Sequence, residues 1–258
     1  AALAIHLSIG MAYGFSVFWL PLSKSIGITQ PIACEADMGV FQQLVATNCD
    51  WKISLLGWMY SLFFFFLGGS AAVFGGWLER AGPRKAGVVA AFCWGSGFFI
   101  SAVGIKTHQL WLMWLGSGII GGCGLGLGYI SPVSTLIKWF PDRRGMATGM
   151  AIMGFGGGAL LGSPLADRLM RHFATPTSVG VYETFLTMGT IYFATMLCGA
   201  FGYRVPPSDW KPAGWTPKVQ ASAMMTHGNV HVHTAWRTPQ FWCLWGVLCL
   251  NVSAGIGV

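Results

Sequence analysis

The sequence predicts an all-α membrane protein, and three observations carry that prediction. Hydrophobic residues make up 54% of the 258 positions and charged residues 9%, and the mean hydropathy of +0.59 lies outside soluble usage. Seven runs contain no Asp, Glu, Lys or Arg: 1–23, 53–78, 86–105, 109–137, 145–166, 184–203 and 238–258. The charge between the runs is one-sided. If the runs cross a membrane in turn, one side holds Arg80, Arg84, Lys85, Lys138, Arg143, Arg144, Arg204, Lys211, Lys218 and Arg237 against only Glu79, Asp142 and Asp209. The other side carries five basic and five acidic residues, so the whole net charge of +7 lies on one face.

Each run is long enough to cross a hydrocarbon core of about 30 Å as a helix of roughly 20 residues. Seven of them in a soluble fold would leave too little polar surface to keep the chain in solution. Lys and Arg are retained on the cytoplasmic side of short loops. That rule predicts a multi-pass protein of the cell's plasma membrane with loops 79–85, 138–145 and 204–237 in the cytoplasm. The pI of 9.2 then reflects topology; the lipid bilayer is a partner and nucleic acid is not. The chain starts inside one apolar run and stops inside another with no signal-peptide pattern, which reads as a piece of a longer protein.

The first run holds His6, the one ionisable side chain besides Tyr and Cys set well inside a span. Such a group is a functional candidate by default. Imidazole takes a proton near neutral pH, so protons are a candidate coupling ion; a packed neutral histidine bonded to a carbonyl is the alternative. Tyr13 follows two helical turns later on the same face. The loop 24–52 contains Cys34 and Cys49. In an oxidising compartment they form a disulfide; otherwise they stay free thiols.

Between the second and third runs, "GGWLERAGPRKAG" packs Gly75, Glu79, Arg80, Gly82, Arg84 and Lys85 into one short turn. Gly82 is suited to a positive φ, and the charges are placed to pair across helix ends. The fourth run carries Gly118, Gly122 and Gly126 four apart, a spacing that lets membrane helices approach closely. It also carries Tyr129, and a second basic turn with Asp142 and Arg143 closes it. The fifth run, "GMAIMGFGGGALLGSP", places Gly149, Gly158, Gly162 and Pro164 where helix packing is the simplest reading.

Two motifs carry a family resemblance. The turn from Gly75 to Lys85 resembles the loop 2/3 signature of the major facilitator superfamily, with Glu79 for the usual aspartate and Pro83 for a basic residue. "GLGLGYISPVSTLIKWFPDRRGMATG", with the first and last runs, resembles the oxalate/formate antiporter family within it. The glycines of the fifth run partly match the superfamily's antiporter motif, with Ser163 intruding before Pro164 and Ala166–Asp167 where a glycine pair belongs. The resemblance implies a twelve-helix fold of two six-helix halves. Residues 1–203 would be the first half, 204–237 the central cytoplasmic loop and 238–258 part of helix seven. It also implies that helices one and four are equivalent in two three-helix repeats and line the central cavity. Tyr13 and Tyr129 stand where the family carries cavity aromatics, and the family's cationic anion-binding residues lie in the second half.

Other chemistry is thin. His227, His231 and His233 lack a cysteine or carboxylate to complete a metal site. Asp167 and Arg168 have no paired acid, and no serine or cysteine has a base nearby. No enzyme, cofactor or metal is expected. The reading is a secondary transporter of small organic anions such as oxalate, formate or a monocarboxylate. Glu79, Arg80 and Arg84 are expected to latch its cytoplasmic side, and Tyr13, Tyr129 and His6 to line its cavity. The competing reading is a seven-helix receptor or sensor.

Overall fold

A computed structural model describes residues 1–35, 37–207, 209–212, 214 and 232–256. The chain divides into two compact units, Ala1–Ala213 and Gly214–Val258.

Six helices of membrane-spanning length and hydropathy form the first unit: α1 Ala2–Leu22, α2 Ile53–Ala81, α3 Pro83–Lys106, α4 Leu110–Trp139, α5 Arg144–Phe173 and α6 Val181–Phe201. They make the protein a multi-pass membrane protein. Several run past the charge-free windows that forecast them. In α5, Asp167 and Arg171 stay helical because their side chains pair one turn apart at 2.9 Å. With 29 residues, α2 is about 44 Å long at 1.5 Å per residue, so its charged end stands clear of the hydrocarbon. It stops at Gly82, whose φ of +81° is open to glycine and costly for any other residue. Pro83 then opens α3 at the position where a missing N–H costs nothing.

The six helices pack as two interlocked triplets. The main pairings are α2 with α4, α1 with α5, α3 with α4, α1 with α6, and α3 with α6. Exchanging α1–α3 for α4–α6 maps this set onto itself, as two equivalent three-helix repeats require. Glycines make the crossed pairs possible. Along α4, Gly118, Gly122 and Gly126 turn to α2, where added methyl groups would press on the carbonyls of Met59, Phe63 and Leu67. On the opposite pair, Gly10 of α1 meets Gly158 of α5 so closely that a Cβ on either would strike the other helix's backbone. Neither helix four nor helix one is uniform: Trp114–Ile120 winds as a π-helix and Gly10–Phe18 as a 3₁₀-helix.

In the second unit, Thr238 accepts the Phe241 N–H and Pro239 starts a helix, α7 Pro239–Ile256. The indole of Trp242 donates back to the Trp236 carbonyl at 2.8 Å.

Candidate functional site

The crossing of α1, α4 and α5 gathers three of the side chains singled out in the sequence. Phe155 of α5 is their hub, with ring centroids 5.0 Å from Tyr13, 5.2 Å from Tyr129 and 6.3 Å from His6. His6 is fully buried and lies flat on Tyr129, the rings 5.5 Å apart and 13° from parallel. Tyr13 is 49% exposed and Tyr129 half-buried, so the cluster has one open side. Among the described residues neither phenol has a hydrogen-bond partner. The Tyr60 hydroxyl of α2 is engaged, donating to the Ala12 carbonyl at 2.9 Å and fixing α1 just beside Tyr13. Phe155 and Tyr60 were not singled out in the sequence. The available signal for Phe155 was a lone aromatic in a glycine-rich run.

One small cavity of the unit lies elsewhere. A cavity of about 20 Å³ between α1, α2, α3 and α4 is walled by Met11, Phe15, Met59, Phe63, Trp94 and Phe98. It has room for about one water and none for an organic anion.

At the basic end, Glu79, Arg80, Arg84 and Lys85 are all exposed. The Arg80 guanidinium donates to the Gly76 carbonyl at 3.1 Å, and no ion pair joins Glu79 to Arg80 or Arg84 among the described residues. Gly75 has open space around it. Asp142 and Arg143 pair with each other at 3.5 Å. Beside them a strap is formed by the residues that follow α6. The Trp139 indole donates to the Arg204 carbonyl at 2.8 Å and the Trp210 indole to the Trp139 carbonyl at 3.2 Å.

The fifth-helix positions separate. Gly158 packs on α1, and Gly162 on Met11 and the Tyr192 hydroxyl, whereas Gly149 meets nothing. Pro164 lies inside α5, two residues past Gly162. His227 and His231 lie outside the described residues.

At the opposite end, Cys34 and Cys49 are joined by a disulfide, with Cα atoms 4.9 Å apart. Next to it, the Asp50 carboxylate is only 4% exposed and accepts the backbone N–H groups of Ile26, Gly27 and Ile32 at 2.7 to 2.9 Å. His108, from the α3–α4 turn, completes this clasp. Its Nε2 donates to the Cys49 carbonyl at 2.8 Å, Ser25 lies 3.3 Å from Nδ1, and Trp51 stacks on the ring at 4.5 Å. Burial pushes the His108 imidazole below its ordinary value, against the opposing pull of the Cys49 carbonyl and the Asp50 carboxylate.

Relatives fit this architecture. The chain is 25% identical to an uncharacterized MFS-type transporter, YhjX, of Escherichia coli K12, over 88% of this chain and 52% of that one. It is 29% identical to an oxalate:formate antiporter of Oxalobacter formigenes, over 49% of this chain and 27% of that one. It is 27% identical to apicoplast pyruvate carrier 1 of Toxoplasma gondii, over 52% and 32%. The chain thus spans about half the length of the first of these relatives, and its matches take in less of the other two. The model of the Major Facilitator Superfamily matches residues 1–258. With six membrane helices paired as two interlocked triplets and a family match along its whole length, the chain belongs to the Major Facilitator Superfamily.

Proposed function

We propose that the protein is a secondary transporter of small carboxylates, working by alternating access between two six-helix halves. Tyr13, Tyr129 and His6 are the first half's share of its substrate site. One observation carries the reading: two unpartnered phenols, from the helices equivalent in the two triplets, stand round Phe155 on an open side. A phenol ring excludes water while its hydroxyl gives one hydrogen bond to a carboxylate. The names of two relatives, an oxalate:formate antiporter and a pyruvate carrier, support that substrate class. The family match gives the seven-helix receptor reading no support. The excess of positive charge at the basic end supports a cytoplasmic side for it.

Binding of oxalate, formate and pyruvate to Tyr13→Phe and Tyr129→Phe in the reconstituted full-length protein tests this. Losing a hydroxyl that bonds a charged ligand costs about 1.5–3 kcal/mol, or roughly ten- to a hundredfold in affinity. Both variants should show that loss with thermal stability nearly unchanged. Parent-like binding of all three anions by both variants returns the tyrosines to packing.

A further inference from the structure

His6 is held in a way that its neutral form does not satisfy. Both ring nitrogens face backbone carbonyls: Nδ1 lies 2.7 Å from the Ala151 oxygen of α5, and Nε2 lies 3.2 Å from the Tyr129 oxygen of α4. A neutral imidazole has a single N–H. The shorter contact takes it, which leaves the Nε2 lone pair turned toward the lone pairs of the Tyr129 carbonyl. That contact becomes a hydrogen bond only when Nε2 binds a proton.

Among the described residues the surroundings supply no counter-charge. Facing the ring are Tyr129 from α4 and Phe155 from α5, with Gly154 of α5 against its Cβ. Tyr13 lies further along α1 at the same Phe155 ring. The helix α6, which also packs on α1, carries no charged residue along 184–203 and brings Tyr192 to the level of Met11 and Gly162; α3, whose Gly87 lies near the Ile5 side chain, carries none along 86–105. Among the described residues no carboxylate is hydrogen-bonded or ion-paired to His6. A buried imidazolium without a counter-ion is costly, so this proton needs an anion to stay.

Resting on the carboxylate-transport reading, we propose that Nε2 of His6 is a proton-binding site whose counter-ion is the transported carboxylate itself. One proton from water then enters with each anion and leaves when the anion leaves. The added proton forms an N–H bond to Nε2 and donates to Tyr129 O, while Nδ1–H keeps Ala151 O. The positive charge comes to rest behind the Tyr129 ring, one ring away from the phenols that meet the substrate. By linkage, anion affinity falls as pH rises, toward a limit of about tenfold per unit when one proton is taken up per anion.

The test is calorimetric titration of the detergent-purified full-length protein with oxalate, formate and pyruvate at pH 7.5, in two buffers of different ionisation enthalpy. The difference between buffers reads protons taken up per anion. The expected result is a value approaching one for the parent and near zero for His6→Gln, whose single amide group can still reach a carbonyl but cannot take the proton. Anion binding by the parent without proton uptake overturns this proposal alone, and needs no variant to fold. Equal uptake by parent and His6→Gln also overturns it. No binding of any of the three anions by the parent overturns the transport reading and this one with it.

Discussion

His108 reaches from the α3–α4 turn to Cys49 in the loop between α1 and α2, its Nε2 donating to the Cys49 carbonyl at 2.8 Å. It does so at φ +51°, a left-handed conformation that costs a non-glycine residue about 1–2 kcal/mol. The strain is held by Trp51 stacked on the ring and by the disulfide that fixes the Cys49 backbone. The clasp ties the α1–α2 loop to the α3–α4 turn at the end opposite the basic turns.

Reducing the Cys34–Cys49 bridge should loosen this clasp. Its sequence separation is 15, for which the chain-entropy model gives about 3 kcal/mol. Asp50→Asn should cost a further 1–3 kcal/mol or so, because an amide nitrogen replaces one of two oxygens that accept backbone N–H groups. Thermal unfolding with and without reductant, on parent and Asp50→Asn, reads both. A melting temperature indifferent to reductant and to the substitution contradicts the assignment.

Acid should act on the same clasp. The folded His108 has its pKa held below the unfolded value of about 6.5. The folded state therefore binds fewer protons than the unfolded one between the two values, and stability falls as pH falls. The contribution is complete above about 6.5 and is lost as pH drops toward the folded value. Parent stability should decline from pH 7 to pH 5, and His108→Gln should flatten that part of the curve. A variant that retains the full decline points to another group.

Two glycines of α5 should respond oppositely. A methyl group at Gly158 meets the Leu7 carbonyl and the Gly10 backbone, so Gly158→Ala should destabilise by about 1–3 kcal/mol through overpacking. Gly149 has open space, and Gly149→Ala should be neutral or gain up to about 1 kcal/mol of helix propensity. Paired melting curves in detergent settle the contrast, and equal effects would break the assignment of Gly158 to the α1–α5 contact.

Glu79 and Arg84 carry the gating proposal. Neither has an ion-pair partner among the described residues, which leaves both available to a cytoplasmic latch. For exposed charges such a pair is worth about 1 kcal/mol or less. Glu79→Gln and Arg84→Ala should slow exchange in the full-length protein while leaving substrate affinity within a few-fold. Unchanged exchange in both variants would reduce the cluster to a topology signal.

Much of the fold was legible because charge is so expensive in lipid. The runs 53–78 and 109–137 fall inside α2 and overlap nearly all of α4. Where the forecast ran short, as at 145–166 against α5 Arg144–Phe173, exposed charges continue the helix beyond the bilayer. The glycine spacing of α4 announced a close contact but not its partner, since any helix fits a groove of small residues. His6 was visible as an anomaly. Its two carbonyl acceptors were not, because they lie 123 and 145 residues away and belong to backbone that every residue shares. The Asp50 clasp was silent for the same reason: its donors are main-chain groups, which leave no trace in side-chain pattern.

The interlocking of the triplets also governs how the protein is made. The helix α1 is made before its main partners, α5 and α6, which are the last two of the six described helices of its unit. Until α4 and α5 arrive, the imidazole of His6 stands in lipid with neither carbonyl in reach, a polar blemish on an otherwise greasy helix. A chain halted after α3 therefore leaves this imidazole without either carbonyl, and it gains both only when the second triplet closes round the first.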